Sequence, residues 1–206
     1  MKSFLCLFLG VAANATTIFI DSNAFDTNNS GHATVDLSGA LHPNPGWAAP
    51  LKDSVWISYG STGDHSDPGY FSPPDGTRVI FTDTFTLSGA ITAATLRVMA
   101  DDTSSVILNG HKLMKADLTP GSDCAKGSIG CLVSTEGIFT FAGLAPFLVD
   151  GSNTLAFRVV QVSGSSYGLD FAGSVTTSDT PEPATLAFIG VGLLTLAALR
   201  RRKLVI

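Results

Sequence analysis

The sequence predicts an all-β fold, an antiparallel sandwich of the jelly-roll kind, held between two apolar ends. Three observations predict it. Residues 16–180 carry many short runs with a period of two and no sustained helical period. Turn chemistry built from Gly, Asp and Asn-Gly separates those runs. No crossover helix joins them, which excludes a parallel α/β sheet.

The 206 residues begin with Lys2, an apolar run of nine at 4–12, and Ala13-Asn14-Ala15. This is the layout of a secretory signal at 1–15, with Ala13 and Ala15 as the small residues of the cleavage site and Thr16 as the mature start. The first strands are expected at 17–21, 34–37 and 55–59. Residues 60–76 are polar and Pro- and Gly-containing, and read as a long surface loop. Val79, Phe81, Phe85 and Leu87 then alternate with mostly polar neighbours, as do Leu96, Val98 and Ala100. Ser88-Gly89 and Asp101-Asp102 are turns between strands, and Asn109-Gly110 is a two-residue hairpin signal after a strand at 105–108. Strands follow at 137–142 and from Leu155, where Val159-Val160 shifts the apolar face and predicts a bulge. Tyr167, Leu169, Phe171, Gly173 and Val175 form the last alternating run. The sandwich is therefore assigned to 16–174, with a polar linker at 175–180.

Charge narrows the function. The chain is 14% charged with a net charge of −5, against about 25% charged in ordinary domains. With Lys2, Glu182 and the four tail cations set aside, residues 16–180 hold 16 acids and 7 bases, a net charge of −9. Such a body offers no electrostatic footprint for nucleic acid. Cys6 leaves with the signal. Cys124 and Cys131 remain in an exported chain, separated by six residues, and predict a disulfide that clips the loop 119–135. A metal pair would lack two further ligands, and a redox pair would want C-x-x-C spacing.

The carboxyl end has three ordered parts: Pro181-Glu182-Pro183, sixteen uncharged residues at 184–199, and Arg200-Arg201-Arg202-Lys203. As a helix the apolar run would be about 24 Å long, short of a ~30 Å hydrocarbon core by an amount that snorkelling and local thinning close. The basic cluster keeps that end cytoplasmic and the body outside. This tail, 181–206, closely resembles the PEP-CTERM sorting signal of Gram-negative bacteria. The resemblance implies recognition by a membrane-embedded exosortase, a transient inner-membrane anchor at 184–199 with the body in the periplasm, and then release or attachment at the cell surface. Leu204-Val205-Ile206 continue past the basic cluster, where many members stop.

A second resemblance lies in the body. The run from Leu96 through Ala100-Asp101-Asp102 to Leu108-Asn109-Gly110 is similar to galactose-binding-like jelly rolls, which include carbohydrate-binding modules. Asn153 to Val159 resembles a later strand of that fold. This implies a sandwich able to carry a sugar site, and says little about function, because the fold hosts many unrelated sites.

Catalysis has little to stand on. Gly164-Ser165-Ser166-Tyr167-Gly168 matches G-x-S-x-G, but a nucleophile elbow needs a helix after the serine and a later histidine, and the last histidine is His111. Glu136 is the one glutamate of the body, so paired carboxylates for glycoside hydrolysis are not evident. Asp64-His65-Ser66-Asp67 could offer metal ligands at Asp64 and Asp67. Asp26 and Asn28 faintly resemble a calcium loop without its bidentate Glu; an Asx-rich turn accounts for them equally. A structural Ca²⁺ is the one cofactor considered. For glycan contact the candidates are Tyr70 and Phe71 in the long loop, with Tyr59 and Trp47; Trp56 is assigned to the core. The reading is an exported, non-enzymatic surface or matrix protein whose partners are exosortase and the membrane. Polysaccharide binding is the alternative, and a secreted hydrolase stands behind both.

Overall fold

The computed structural model describes residues 14–28, 30–118, 124, 129–178, 189–194, 196 and 200. Ten strands form two antiparallel sheets. They are β1 (Ala15–Asp21), β2 (Val35–Asp36), β3 (Ile57–Ser58), β4 (Arg78–Leu87), β5 (Ala90–Asp101), β6 (Thr103–Leu108), β7 (His111–Met114), β8 (Gly137–Thr140), β9 (Gly151–Val160) and β10 (Gly168–Ser178). One sheet has the order β2-β3-β10-β5-β8, with β1 also paired to β10; the other is β4-β9-β6-β7. Within the body, the described helix is a single turn, α1 (Phe141–Leu144), and two short 3-10 turns. The expected all-β sandwich is what forms.

The period-two runs explain the core. Val79, Phe81 and Leu87 of β4 meet Leu155, Phe157 and Val159 of β9, and across the gap Leu96, Val98, Ala100, Leu169, Phe171 and Val175 face them. Phe157 and Phe171 stack between the sheets at 4.4 Å. Asn109 and Gly110 take φ of 49° and 80°, the left-handed pair that a two-residue hairpin requires. Arg97 of β5 holds the body's one glutamate, Glu136, through one guanidinium edge, Nε donating to Oε1 and Nη2 to Oε2, the latter at 2.6 Å.

A second apolar cluster sits on the outer face of the β10–β5 sheet. Leu37, Trp47, Leu51 and Trp56 cover Met99 there, together with Cys124 and Cys131. The two cysteines are joined as a disulfide with Cα atoms 5.0 Å apart, and Cys131 accepts the Ala48 N–H at 2.9 Å. The bridge thus sits against the sheet beside the tryptophans.

Three expectations change. The β9 register runs unbroken through Val159 and Val160 against both β4 and β6. The irregularities lie instead at Val106/Ile107 and Thr176/Thr177, and both valines are buried because the strand end is covered on two sides. β10 continues to Ser178, so 175–178 is strand and not linker. Val175 faces the core, and Ser178 pairs with Ala15 and Ala90. β1 begins at Ala15, the last residue of the expected signal, whose residues 1–13 lie outside the described residues. In the tail, 189–194, 196 and 200 are helical. Among the described residues no helix is long and apolar enough to cross a membrane. Pro181, Glu182, Pro183, Arg201, Arg202 and Lys203 lie outside the described residues.

Candidate functional site at the loop end

The end of the sandwich where β10 starts is closed by the loops 59–76 and 161–167. Their polar composition suits a surface loop, yet hydrogen bonds fix them firmly. Tyr167 is fully buried; its hydroxyl donates to Val159 O at 2.9 Å and accepts the Val79 N–H at 3.0 Å. Burial pushes its phenol pKa up. Thr62 donates its hydroxyl to Tyr167 O at 2.6 Å, and Tyr167 N–H returns to Thr62 O at 2.9 Å. Ser166 donates to Gly63 O at 2.8 Å and accepts Asn44 Nδ2 at 2.7 Å. These bonds place the Gly164–Gly168 stretch as a turn entering β10, with Ser166 buried and occupied. The nucleophile-elbow reading ends there.

Asp67 is the anchor of the long loop. Its buried carboxylate accepts the His42 N–H at 2.7 Å and lies 2.6 Å from His42 Nδ1. Gly63 is needed beside it, because a Cβ there would fall 2.1 Å from the His42 carbonyl oxygen. Asp64 accepts the Ser66 N–H at 2.8 Å, which holds its carboxyl below the usual range. The pair proposed from sequence as metal ligands is therefore split: Asp67 binds His42 and Asp64 closes an Asx turn.

Aromatic residues crown this end. Tyr70 stacks on His65 at 4.3 Å and 21°, and its hydroxyl donates to Ser165 O at 2.8 Å. Phe71 is 40% exposed. It packs edge-on to Tyr59, which packs edge-on to Tyr167, at 5.6 and 5.5 Å. So the structure brings Tyr59, Tyr70 and Phe71 to one end. Trp47 is a correction: it is 9% exposed, it packs on Trp56 at 4.3 Å, and its Nε1 donates to Asp101 Oδ2 at 2.6 Å. A ring held on its face and its edge offers no platform to a sugar. Trp56 is fully buried, as expected.

The other sequence candidates form local structure elsewhere. Asp26 is buried and accepts the Asn23 N–H at 3.0 Å; desolvation, then the nearby Asp83 and Asp21, raises its pKa from 3.8 to about 7. Asn28 accepts the Ser30 N–H at 2.9 Å, an Asx turn. Among the described residues no three His, Cys, Asp or Glu side chains are grouped to hold a metal. Sequence reasoning missed the roles of His42 and Asn44. Nothing local marks them, because their partners lie 25 and 122 residues away.

Residues 179–203 match the PEP-CTERM protein-sorting motif. No curated protein matches the chain. Among solved structures, the family 35 carbohydrate binding module from Clostridium thermocellum is similar at a TM-score of 0.40 and 10% identity, over 76% of this chain and 97% of that one. The CBM36-1 domain of a multidomain xylanase from the hindgut metagenome of Trinervitermes trinervoides is similar at 0.35 and 10%, over 81% and 100%. Streptomyces avermitilis alpha-L-rhamnosidase complexed with L-rhamnose is similar at 0.39 and 21%, over 55% of this chain, which spans 11% of that enzyme. At such scores the function has to be argued from this chain's own residues.

Proposed function

We propose that this is an exported, non-enzymatic surface protein. An exosortase sorts it through the tail, with 184–199 as a transient membrane helix, and its aromatic loop end binds polysaccharide. One observation carries the reading. β10 runs from the loop end straight to the sorting motif: Gly168 adjoins Tyr167, and Ser178 is followed at once by residues 179–203. Eleven extended residues separate the two, about 33 Å at roughly 3.3 Å per residue. The tether and the aromatic end therefore lie at opposite poles, and a tail seated in a membrane holds Tyr70 and Phe71 outward.

The side chains fit that role. The rings of Phe71 and Tyr70 are the kind of surface on which the apolar face of a pyranose packs, and neither needs a charge to do so. That matters for a body of net charge −9, which would repel an acidic polymer without a bridging cation. The buried acids near this end act as clamps: Asp67 on His42, Asp102 on the Val162 and Ser163 N–H groups, and Asp170 on Ser22, Ser54 and the Leu51 N–H. A hydrolase would want such groups free.

The test is made in a host with an active exosortase. Changing Pro181, Glu182 and Pro183 to alanine should leave the chain unprocessed in the membrane fraction. Protein recovered from producing cells should be retarded by at least one neutral polysaccharide in affinity electrophoresis, and the Tyr70→Ala/Phe71→Ala variant should lose that retardation. Unchanged processing sinks the sorting claim, and no retardation by any polysaccharide sinks the binding claim.

A further inference from the structure

The loop end holds a buried group that the fold itself does not use. Gln161 is 1% exposed, and neither its Nε2 nor its Oε1 has a hydrogen-bond partner among the described residues. Ser61, whose backbone carbonyl accepts the Phe71 N–H at 3.0 Å, also buries an unpartnered hydroxyl. These are the buried side-chain atoms left unsatisfied among the described residues, and both belong to the segments that close this end. The Gln161 backbone is not at fault. It donates to Thr77 O at 3.0 Å and accepts the Gly76 N–H at 2.8 Å, so the residue is held in place while its amide goes unanswered.

The position of that amide follows from the strand. Continuing the β9 alternation by one step carries Gln161 to the face of Leu155, Phe157 and Val159, which points into the sandwich. It lies one layer beyond Val159, whose carbonyl takes the Tyr167 hydroxyl. The aromatic crown belongs to the same end, where Tyr70 donates to Ser165 O of the 161–167 loop and Phe71 N–H to Ser61 O. There Phe71 presses on Gly60 so closely that a Cβ would fall 2.8 Å from its ring.

A buried amide with no partner carries its full desolvation penalty, and an apolar side chain of the same length would carry none. Such groups are rare in native folds, and completion by a molecule from outside is one reason to keep them. A primary amide sets a donor and an acceptor side by side. Two neighbouring hydroxyls complement that pair, one accepting from Nε2 and the other donating to Oε1. With aromatic rings at the same end for the apolar face, the matching ligand is a pyranose with a vicinal diol.

We propose that Gln161 is the group that reads sugar hydroxyls at the loop end, that Ser61 adds a third hydrogen bond, and that Phe71 is the side chain that moves to admit the ring. This rests on the polysaccharide-binding reading of the same end. The experiment uses protein recovered from producing cells and the variant Gln161→Met, which keeps length and removes both polar atoms. Thermal unfolding and affinity electrophoresis in a panel of neutral polysaccharides are read together. The expected result is an unchanged or raised Tm with retardation weakened by about tenfold or more, the scale of losing two hydrogen bonds. Methyl β-D-galactopyranoside and methyl α-D-mannopyranoside, added as competitors, should restore mobility, and their 3-deoxy analogues, which lack a vicinal ring pair, should compete less. A lower Tm in Gln161→Met would mean that ordered water already completes the amide, and would overturn the proposal. Undiminished retardation of the variant would overturn it while leaving polysaccharide binding intact. A wild-type chain retarded by no polysaccharide would overturn both.

Discussion

At the pole where β10 ends, the sheets are closed by α1, by Leu148 and by neutral amides. Asn153 is fully buried, accepts Val149 N–H and Asn109 Nδ2, and donates to Val149 O and Gly151 O. Beneath them lies a small apolar cavity of about 20 Å³ lined by Ile20, Phe85, Leu96, Leu108, Leu144, Leu148, Leu155 and Val175. At the pole where β10 begins, carboxylates and hydroxyls hold longer loops: Asp67, Asp101, Asp102, Asp170, Thr62, Ser166 and Tyr167. The buried closure of the tether pole is mostly neutral, with Asp150 at its rim accepting the Gly89 N–H, whereas the loop pole leans on buried carboxylates. The difference suits a scaffold with one fixed end and one end whose surface is adapted to a ligand.

The largest expected effect tests the tether pole. Leu155→Ala would enlarge a cavity that already exists, and should cost about 2–5 kcal/mol. If the tether pole is as insensitive to charge as its residues indicate, chemical denaturation should return the same loss at pH 5 and pH 8. A loss confined to one pH would break the contrast. Tyr167→Phe comes next. It keeps the ring and removes the hydroxyl that joins Val159 O to the Val79 N–H, so a buried donor is left alone at a cost of about 1–3 kcal/mol. Amide exchange should quicken first at the loop pole, and uniform quickening across both sheets would count against separate closure of the two ends.

The two poles also differ in how well they could be read from sequence. Alternation exposes β4 and β5, because Val79, Phe81, Leu96 and Val98 bury one face and leave polar residues on the other. Asn109-Gly110 exposes a hairpin, because only left-handed backbone closes it. Met99 defeats the same logic. It sits opposite Val98 in parity yet is buried, since Trp47, Leu51 and Trp56 return over the outer face. Trp47 was a candidate for sugar contact until its indole found Asp101, 54 residues on. Gln161 reads as one more polar residue beside a Gly-Ser turn. Its interest comes from what is missing around it in three dimensions, and no one-dimensional pattern records that. The surface setting of Phe71, by contrast, was legible from the polar loop that carries it.

The last expected effect is a slope with pH. Asp26, in the excursion between β1 and β2, is buried with Asp83 and Asp21 close enough to repel it. Burial also raises Asp83 and Asp170. For Asp26 the folded value is about 7 against an ordinary 3.8. Between those values the native chain still holds a proton that the unfolded chain has released. Stability therefore falls as pH rises through that window, and this contribution is gone once pH exceeds the folded value. The wild-type Tm should be higher at pH 5 than at pH 8. Asp26→Asn has no proton to lose and can still accept the Asn23 N–H, so it should flatten the slope by raising the Tm at pH 8. Leu155→Ala should lower both values and leave the slope as it was. A slope that survives Asp26→Asn undiminished would move the titrating group to Asp83 or Asp170, and Asp83→Asn and Asp170→Asn, compared in turn, would say whether the pH sensitivity belongs to the loop pole.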